Sequence, residues 1–261
     1  MSFCASFIGT GNMGSALAAA VSRTDQNIGL FDLDTKKAQS FAKSIGAVVT
    51  TTEEAAKSRF LFLAVKPNVI IKVAKSLSGI LAENTVIVTM AAGVKLEEIC
   101  AAAGTNRCIR IMPNTPAAVG EGMILYCAAS DITKEDEADF LNLLKGAGVV
   151  DKIDEKLIDA AAALTGCGPA YVYMFAQALS DGAVSCGVPR DKAAIYAAQT
   201  ILGSAKMLKN SDKHPEKLKD EVCSPGGTTI AGVMALEKMK FRSAAASAVC
   251  AAYEKTAKLK K

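Results

Sequence analysis

A single histidine, His214, and eight cysteines with no C-x-x-C spacing leave this chain no cluster of the zinc-binding kind. The start of the chain lacks the succession of basic segment, apolar core and A-x-A site that marks a secretory leader. Together these absences predict reduced thiols in a cytoplasm rather than a disulfide scaffold. Cys4, Cys100, Cys127 and Cys250 lie in apolar stretches and are expected to pack. Cys167 and Cys223 adjoin glycine-rich turns and are the two expected near a site. Charge of one sign is not concentrated either. Lysine and arginine number 30 against 26 acids, a formal net charge of +4, and the lysines are scattered except for Lys258, Lys260 and Lys261. That pattern argues against a nucleic-acid groove, and the last lysines read as the solvated end of a frayed helix. One charge-free window, residues 160–180, approaches membrane-span length. It contains Gly166, Gly168, Pro169 and Gln177, and so reads as a turn followed by a buried helix.

What is present is a globular composition, 51% hydrophobic and 21% charged over 261 residues, enough for a sizeable core divided between two domains. The organising stretch comes first. Residues 4–8 are an apolar run of buried-strand length, Gly9, Gly11 and Gly14 then give G-x-G-x-x-G, and an Ala-rich helical segment follows. Gly9 permits a tight turn, Gly11 lets a pyrophosphate approach the backbone, and Gly14 lets the helix lie close to the strand. Asn12 and Met13 sit where the helix offers its first amides and positive dipole end to phosphates. A glycine-rich turn alone is also compatible with a purely structural role; the flanking strand and helix favour a dinucleotide site. A second strand, residues 27–31, ends at Asp32, where a ribose-binding carboxylate belongs.

Further short apolar runs follow at residues 47–49, 59–65, 85–89, 107–112, 123–127 and 149–150, with helical segments at 34–44, from Pro67 to about Leu81, and from a Thr133–Asp136 capping signal to Leu144. Strand–helix alternation of this kind predicts a doubly wound parallel sheet over residues 1–152. Ligands of such sheets bind beyond the carboxyl ends of the strands. Three strand exits point there: Ala64, Val65, Lys66 and Pro67; Ala91, Ala92 and Gly93; and Asn114 with its flanking prolines. Any one could be a plain loop.

Beyond, strand patterns vanish. Residues 154–164, 170–186, 190–209, 215–222, 229–239 and 241–258 all read as helices, Ala-rich and apolar over wide arcs. Residues 153–261 are therefore expected to form an all-α domain whose apolar faces meet a second subunit. One turn within it stands out: Cys223, Ser224, Pro225, Gly226, Gly227, Thr228 and Thr229, ahead of a helix. Consecutive glycines expose backbone amides, and Ser224, Thr228 and Thr229 add hydroxyls, a nest suited to a small carboxylate or phosphate, though a capped helix behind a Pro-Gly turn has the same look. A second candidate, residues 164–171, reads as an interdomain turn or as close backbone approach to a ligand, and His214 reads as a loop residue outside acid–base chemistry.

The motifs GTGNMG (9–14), AVKP (64–67), AAGV (91–94), MPNTP (112–116), GCGPAY (166–171) and HPEKLKDEVCSPGGTT (214–229) span the chain, and with them it resembles the pyrroline-5-carboxylate reductases, which catalyse the last step of proline synthesis. The resemblance implies a Rossmann-type domain, a helical dimerisation domain, NADPH or NADH as cofactor, and reduction of the C=N bond of 1-pyrroline-5-carboxylate to L-proline. It implies that Ser224, Gly226, Gly227, Thr228 and Thr229 hold the substrate, with the Thr229 hydroxyl at the ring nitrogen. It also implies a homodimer, with a decamer as a larger assembly, and a substrate loop able to face the partner's cofactor; no metal, no nucleic acid and no membrane are expected from the composition. Alternatives are reduction of another cyclic imine, a 3-hydroxyacid dehydrogenase relative, and a silent nucleotide-binding scaffold. Related 3-hydroxyacid dehydrogenases carry a catalytic lysine where residues 170–177 have none. Asp32 would favour ribose hydroxyls over a 2′-phosphate, a modest lean to NADH that Lys36 and Lys37 could offset.

Overall fold

A computed structural model describes residues 3–259. The chain divides into two compact units, one running to Cys167 and regaining the residues from Ala252 on, the other comprising Gly168–Ala251.

In the first unit the elements follow as β1 (Ala5–Ile8), α1 (Asn12–Val21), β2 (Ile28–Phe31), α2 (Thr35–Ile45), β3 (Val48–Val49), α3 (Thr52–Ala55), β4 (Phe60–Leu63) and α4 (Pro67–Leu77). They continue as β5 (Val86–Thr89), α5 (Leu96–Ala103), β6 (Cys108–Met112), β7 (Gly122–Ala128), α6 (Lys134–Leu144), β8 (Gly148–Lys152) and α7 (Glu155–Thr165). The strands form one sheet in the order β3-β2-β1-β4-β5-β6-β7-β8. β1, β4, β5 and β6 are buried at every position, as strands covered on both faces must be. Alternate residues feed two cores. Phe7, Phe62, Val88 and Ile111 pack with Leu17 and Phe140 on one face; Ile8, Leu63, Ile87 and Met112 pack with Ile70, Ile99 and Ile158 on the other. Phe7 and Phe62 are register partners whose rings stack at 4.4 Å. Truncating such a ring removes about 3–5 kcal/mol of burial and packing.

The sheet is parallel from β3 through β6, but β7 runs antiparallel to β6, and β8 parallel to β7. The connection between β6 and β7 explains this: it holds only a 3-10 turn, Thr115–Val119, too short to carry a crossover helix back to a parallel start. Two short helices, α3 and α5, lie where the residue pattern showed none, because four and eight residues hold too little periodicity to register. The Thr133–Asp136 capping box of α6 is formed, and Asp136 also pairs with Arg59 at 2.6 Å and Arg107 at 2.7 Å, tying α6 to the starts of β4 and β6.

The second unit is helical: α8 (Gly168–Ser185), α9 (Arg190–Lys209), α10 (Pro215–Glu221), α11 (Thr228–Lys238) and the first part of α12 (Phe241–Leu259). The charge-free window is broken between α7 and α8, and no helix among the described residues is long and apolar enough to cross a membrane. Lys258 lies in the last turn of α12, and Lys260 and Lys261 fall outside the described residues. Apolar side chains stay exposed on this unit: Met174 is 73% exposed, Ile195 66% and Met234 61%. A groove of about 580 Å³, lined by Tyr171, Val172, Phe175, Leu179, Leu236 and Phe241 among others, runs over α8, α11 and α12.

Candidate active site

The first cluster of site residues is built at the carboxyl end of the sheet in the first unit. The Gly9 amide donates to Phe31 O at 2.7 Å, fastening the turn to β2. Gly9 has φ +105°, and a Cβ there would stand 2.6 Å from Ala64 O; one on Gly14 would stand 2.3 Å from Gly9 O and 2.8 Å from Ala64 Cβ. These two glycines and Ala64 are thus jammed together, so that α1 rests directly on the exits of β1 and β4. Gly11 differs. A Cβ built on it meets nothing within 4 Å among the described residues. Gly11 is extended, precedes α1, and no described side chain caps the helix, whose first amides have no intrahelical acceptor. The result is an open backbone cradle at a helix N-terminus, the geometry that receives a diphosphate.

Asp32 turns toward this cradle's base. Its Oδ2 accepts from the Thr10 amide at 2.6 Å and the Thr10 hydroxyl at 2.8 Å, and Oδ1 accepts from the Asp34 amide at 3.0 Å. Burial alone would raise this carboxyl, but those hydrogen bonds outweigh it and hold Asp32 below the usual carboxylate range. Thr10, which the motif does not single out, is therefore the residue that connects the glycine turn to Asp32. The signal for it is its place inside G-x-G, where only the glycines draw notice.

Ala64, Val65, Lys66 and Pro67 continue β4: Ala64 donates to Ile8 O at 2.8 Å, Val65 lies beside Gly9, and Pro67 opens α4 with Lys66 exposed as its N-cap. Ala91, Ala92 and Gly93 follow β5, Gly93 at φ +77°. Asn114 follows β6 but its amide is engaged: Nδ2 donates to Thr165 O at 2.9 Å and Oδ1 accepts from the Met123 amide at 2.9 Å. It braces β7 and the end of α7.

Arg110, which the residue pattern passed over, is the largest fully buried side chain among the described residues. It donates to Glu155 at 3.1 Å and to Asp159 at 2.5 Å, and Glu155 also accepts from the Leu96 amide at 2.6 Å. An arginine inside the apolar strand CIRIM, with two acids four residues apart on a later helix, was the available signal. Leaving one partner of such a buried pair unmatched costs about 3–5 kcal/mol.

The second cluster lies in the second unit. Gly226 has φ +69°, and Gly227 is the N-cap of α11 with no side-chain cap among the described residues. The Gly227 amide donates to Ser224 O at 3.0 Å, and a Cβ on Gly227 would stand 2.3 Å from Ser224 Oγ, so a larger residue there would turn the Ser224 hydroxyl out of its present position. Ser224, Thr228 and Thr229 are exposed. Their hydroxyls and the first amides of α11 make a small array of donors. His214 caps α10, its Nδ1 accepting from the Glu216 amide at 3.3 Å. Of the two suspected cysteines, Cys167 is exposed and Cys223 half-buried; Cys250, expected to pack, is exposed.

Comparison with known proteins covers both units. Residues 155–259 match the family described as pyrroline-5-carboxylate reductase dimerisation, and residues 5–93 that described as NADP oxidoreductase coenzyme F420-dependent. A pyrroline-5-carboxylate reductase of Arabidopsis thaliana is 40% identical over 264 residues, 99% of this chain and 96% of that protein. One of Escherichia coli (strain K12) is 40% identical over 262 residues, 98% of this chain and 97% of that protein. The crystal structure of Plasmodium falciparum pyrroline carboxylate reductase with NADP bound superposes with a TM-score of 0.89 at 31% identity, covering 99% of this chain and 98% of that one. Matched along nearly its whole length to such proteins, the chain belongs to the pyrroline-5-carboxylate reductase family.

Proposed function

We propose that the chain reduces 1-pyrroline-5-carboxylate to L-proline with NADH or NADPH, in the cytoplasm. The observation that carries this reading is the full-length identity to pyrroline-5-carboxylate reductases, with the cofactor turn and the 223–229 loop both intact. The open cradle at Gly11 fits a dinucleotide diphosphate. Gly9, Gly11, Asn12, Met13 and Gly14 would hold it, with Asp32 at the ribose and the exits Ala64–Pro67, Ala91–Gly93 and Asn114 as walls. When bound, the reduced nicotinamide supplies the hydride.

The protein's own contribution is binding and orientation. The amides of Thr228 and Thr229 and the Ser224 hydroxyl suit the substrate carboxylate, with Gly226 and Gly227 shaping the turn that presents them, and the Thr229 hydroxyl suits the ring nitrogen. A protonated imine is already electrophilic, so alignment of donor and acceptor supplies most of the acceleration. In this reading residues 1–152 serve the cofactor and 153–261 serve the substrate and the subunit contact. The exposed apolar groove on α8, α11 and α12 supports a homodimer, on which a decamer could be assembled.

Purified protein should oxidise the reduced cofactor only when pyrroline-5-carboxylate is added, and proline should accumulate in step. Other cyclic imines and 3-hydroxy acids form the comparison panel; a better substrate among them would displace the assignment. Thr229→Ala should lower kcat by about ten- to a hundredfold, the loss of one to two hydrogen bonds in the transition state, with nucleotide binding unchanged. Asp32 stays ionised beside the glycine turn, which supports a modest preference for NADH. A ratio of kcat/KM for NADH over NADPH above one is expected, and a strong NADPH preference overturns it.

A further inference from the structure

Asp32, placed at the ribose by the proposed function, is itself held by a neighbour. Its Oδ2 takes both donors of Thr10, the amide at 2.6 Å and the hydroxyl at 2.8 Å, and its Oδ1 takes the Asp34 amide at 3.0 Å. A carboxylate offers about four acceptor positions, so among the described residues one position, on Oδ1, stays open to a ligand. Thr10 is fixed in turn. It is 1% exposed, its carbonyl accepts from the Ser15 hydroxyl of α1 at 2.9 Å, and the Gly9 amide before it is fastened to Phe31 O. Beyond Asp32 the surface changes sign: Lys36 and Lys37, in the first turn of α2, are exposed.

We propose that Thr10 is a specificity-determining positioning residue, whose hydroxyl latches the Asp32 carboxylate where it accepts one ribose hydroxyl and repels a 2′-phosphate. The latch presupposes the dinucleotide reading of the glycine turn; the identity of the imine does not enter. Two donors on one oxygen fix the carboxylate's rotation as well as its place. Burial would raise the Asp32 carboxyl, but the Thr10 and Asp34 bonds outweigh it, so the group keeps its charge. Without the hydroxyl, Oδ2 retains only the Thr10 amide. The carboxylate can then turn outward to pair with Lys36 or Lys37, which withdraws negative charge from the 2′ position and leaves the ribose hydroxyl without its acceptor. Thr10 thus acts on the choice between two cofactors, not on the hydride step.

Titration calorimetry of the intact protein with NADH and with NADPH tests this. Thr10→Val, isosteric but without the hydroxyl, should lower the ratio of NADH to NADPH affinity by about three- to tenfold, the weight of one hydrogen bond. Thr10→Ser, which keeps the hydroxyl, should hold the ratio near that of wild type. A merely structural role would weaken both cofactors together and leave the ratio unmoved. In an Asp32→Ala background, Thr10→Val should no longer shift the ratio, because the latch has nothing to hold. An equal loss for both cofactors in Thr10→Val, or a shift that persists without Asp32, overturns the proposal. The wild-type ratio decides the NADH preference separately: a wild type favouring NADPH removes that preference, while the change from wild type to Thr10→Val still decides the latch. Binding needs no imine, so failure of the substrate assignment leaves this test standing.

Discussion

Gly11 and Gly14 share a motif but do different work. Gly14 is packed against Gly9 O and Ala64 Cβ, while Gly11 faces open space. The same substitution should therefore separate stability from binding. Gly14→Ala forces the turn apart and should lower stability by about 1–3 kcal/mol, the cost of overpacking, seen as a fall in Tm. Gly11→Ala should leave Tm nearly unchanged yet weaken nucleotide binding by roughly tenfold or more, about 1.4 kcal/mol, read by titration calorimetry. A drop in Tm as large for Gly11→Ala as for Gly14→Ala would remove the distinction. The motif made these glycines legible from the residues. That one is structural and the other open was not, because both roles need the same missing side chain. Asp32 was legible for the same reason, by its distance from the turn. Its bonds to Thr10 were not, since the direction of a carboxylate depends on how β1 and β2 lie side by side.

At the scale of elements, α6 is held by charge as well as by its apolar face. Asp136, 1% exposed, accepts from the Thr133 amide and hydroxyl at the helix start and pairs with Arg59 and Arg107. Burial would raise its carboxyl, but the Thr133 bonds and the two guanidinium groups hold it below the ordinary range. A depressed carboxyl stabilises the fold at pH above its ordinary value, about 4, and this contribution is lost as pH falls from there through the lowered value. Asp136→Asn should cost about 1–3 kcal/mol at neutral pH and flatten the fall of Tm with acidification relative to wild type. An unchanged slope of Tm against pH would show that Asp136 is not a titrating support. The capping box was visible as Thr133 followed by Asp136; the arginines were not, because they stand just ahead of β4 and β6, 77 and 29 positions before Asp136, and only the sheet brings them together. Arg110 follows the same logic, with partners on α7 that pattern alone does not connect to β6.

For the whole molecule, a single copy leaves the helical unit with apolar side chains in water. A homodimer should appear by light scattering at micromolar concentration, with a Tm that rises with protein concentration as mass action requires. Val172→Glu, on the groove over α8, α11 and α12, should shift the population to monomer; a dimer of unchanged strength would place the contact elsewhere. The residues by themselves determined the strand–helix alternation, the glycine turn, the all-helical second half and the family, because apolar period and short motifs are local properties. Tertiary structure alone decided the reversal of β7, set by a connection too short for a crossover, and the placing of α7 with the sheet unit. It alone decided, too, the burial of Arg110 between two acids. Each of these depends on distances across the fold rather than along the chain. The opening turn was thus legible as a dinucleotide motif, but which of its glycines carries the fold and which lies open followed only from the approach of β4 to it.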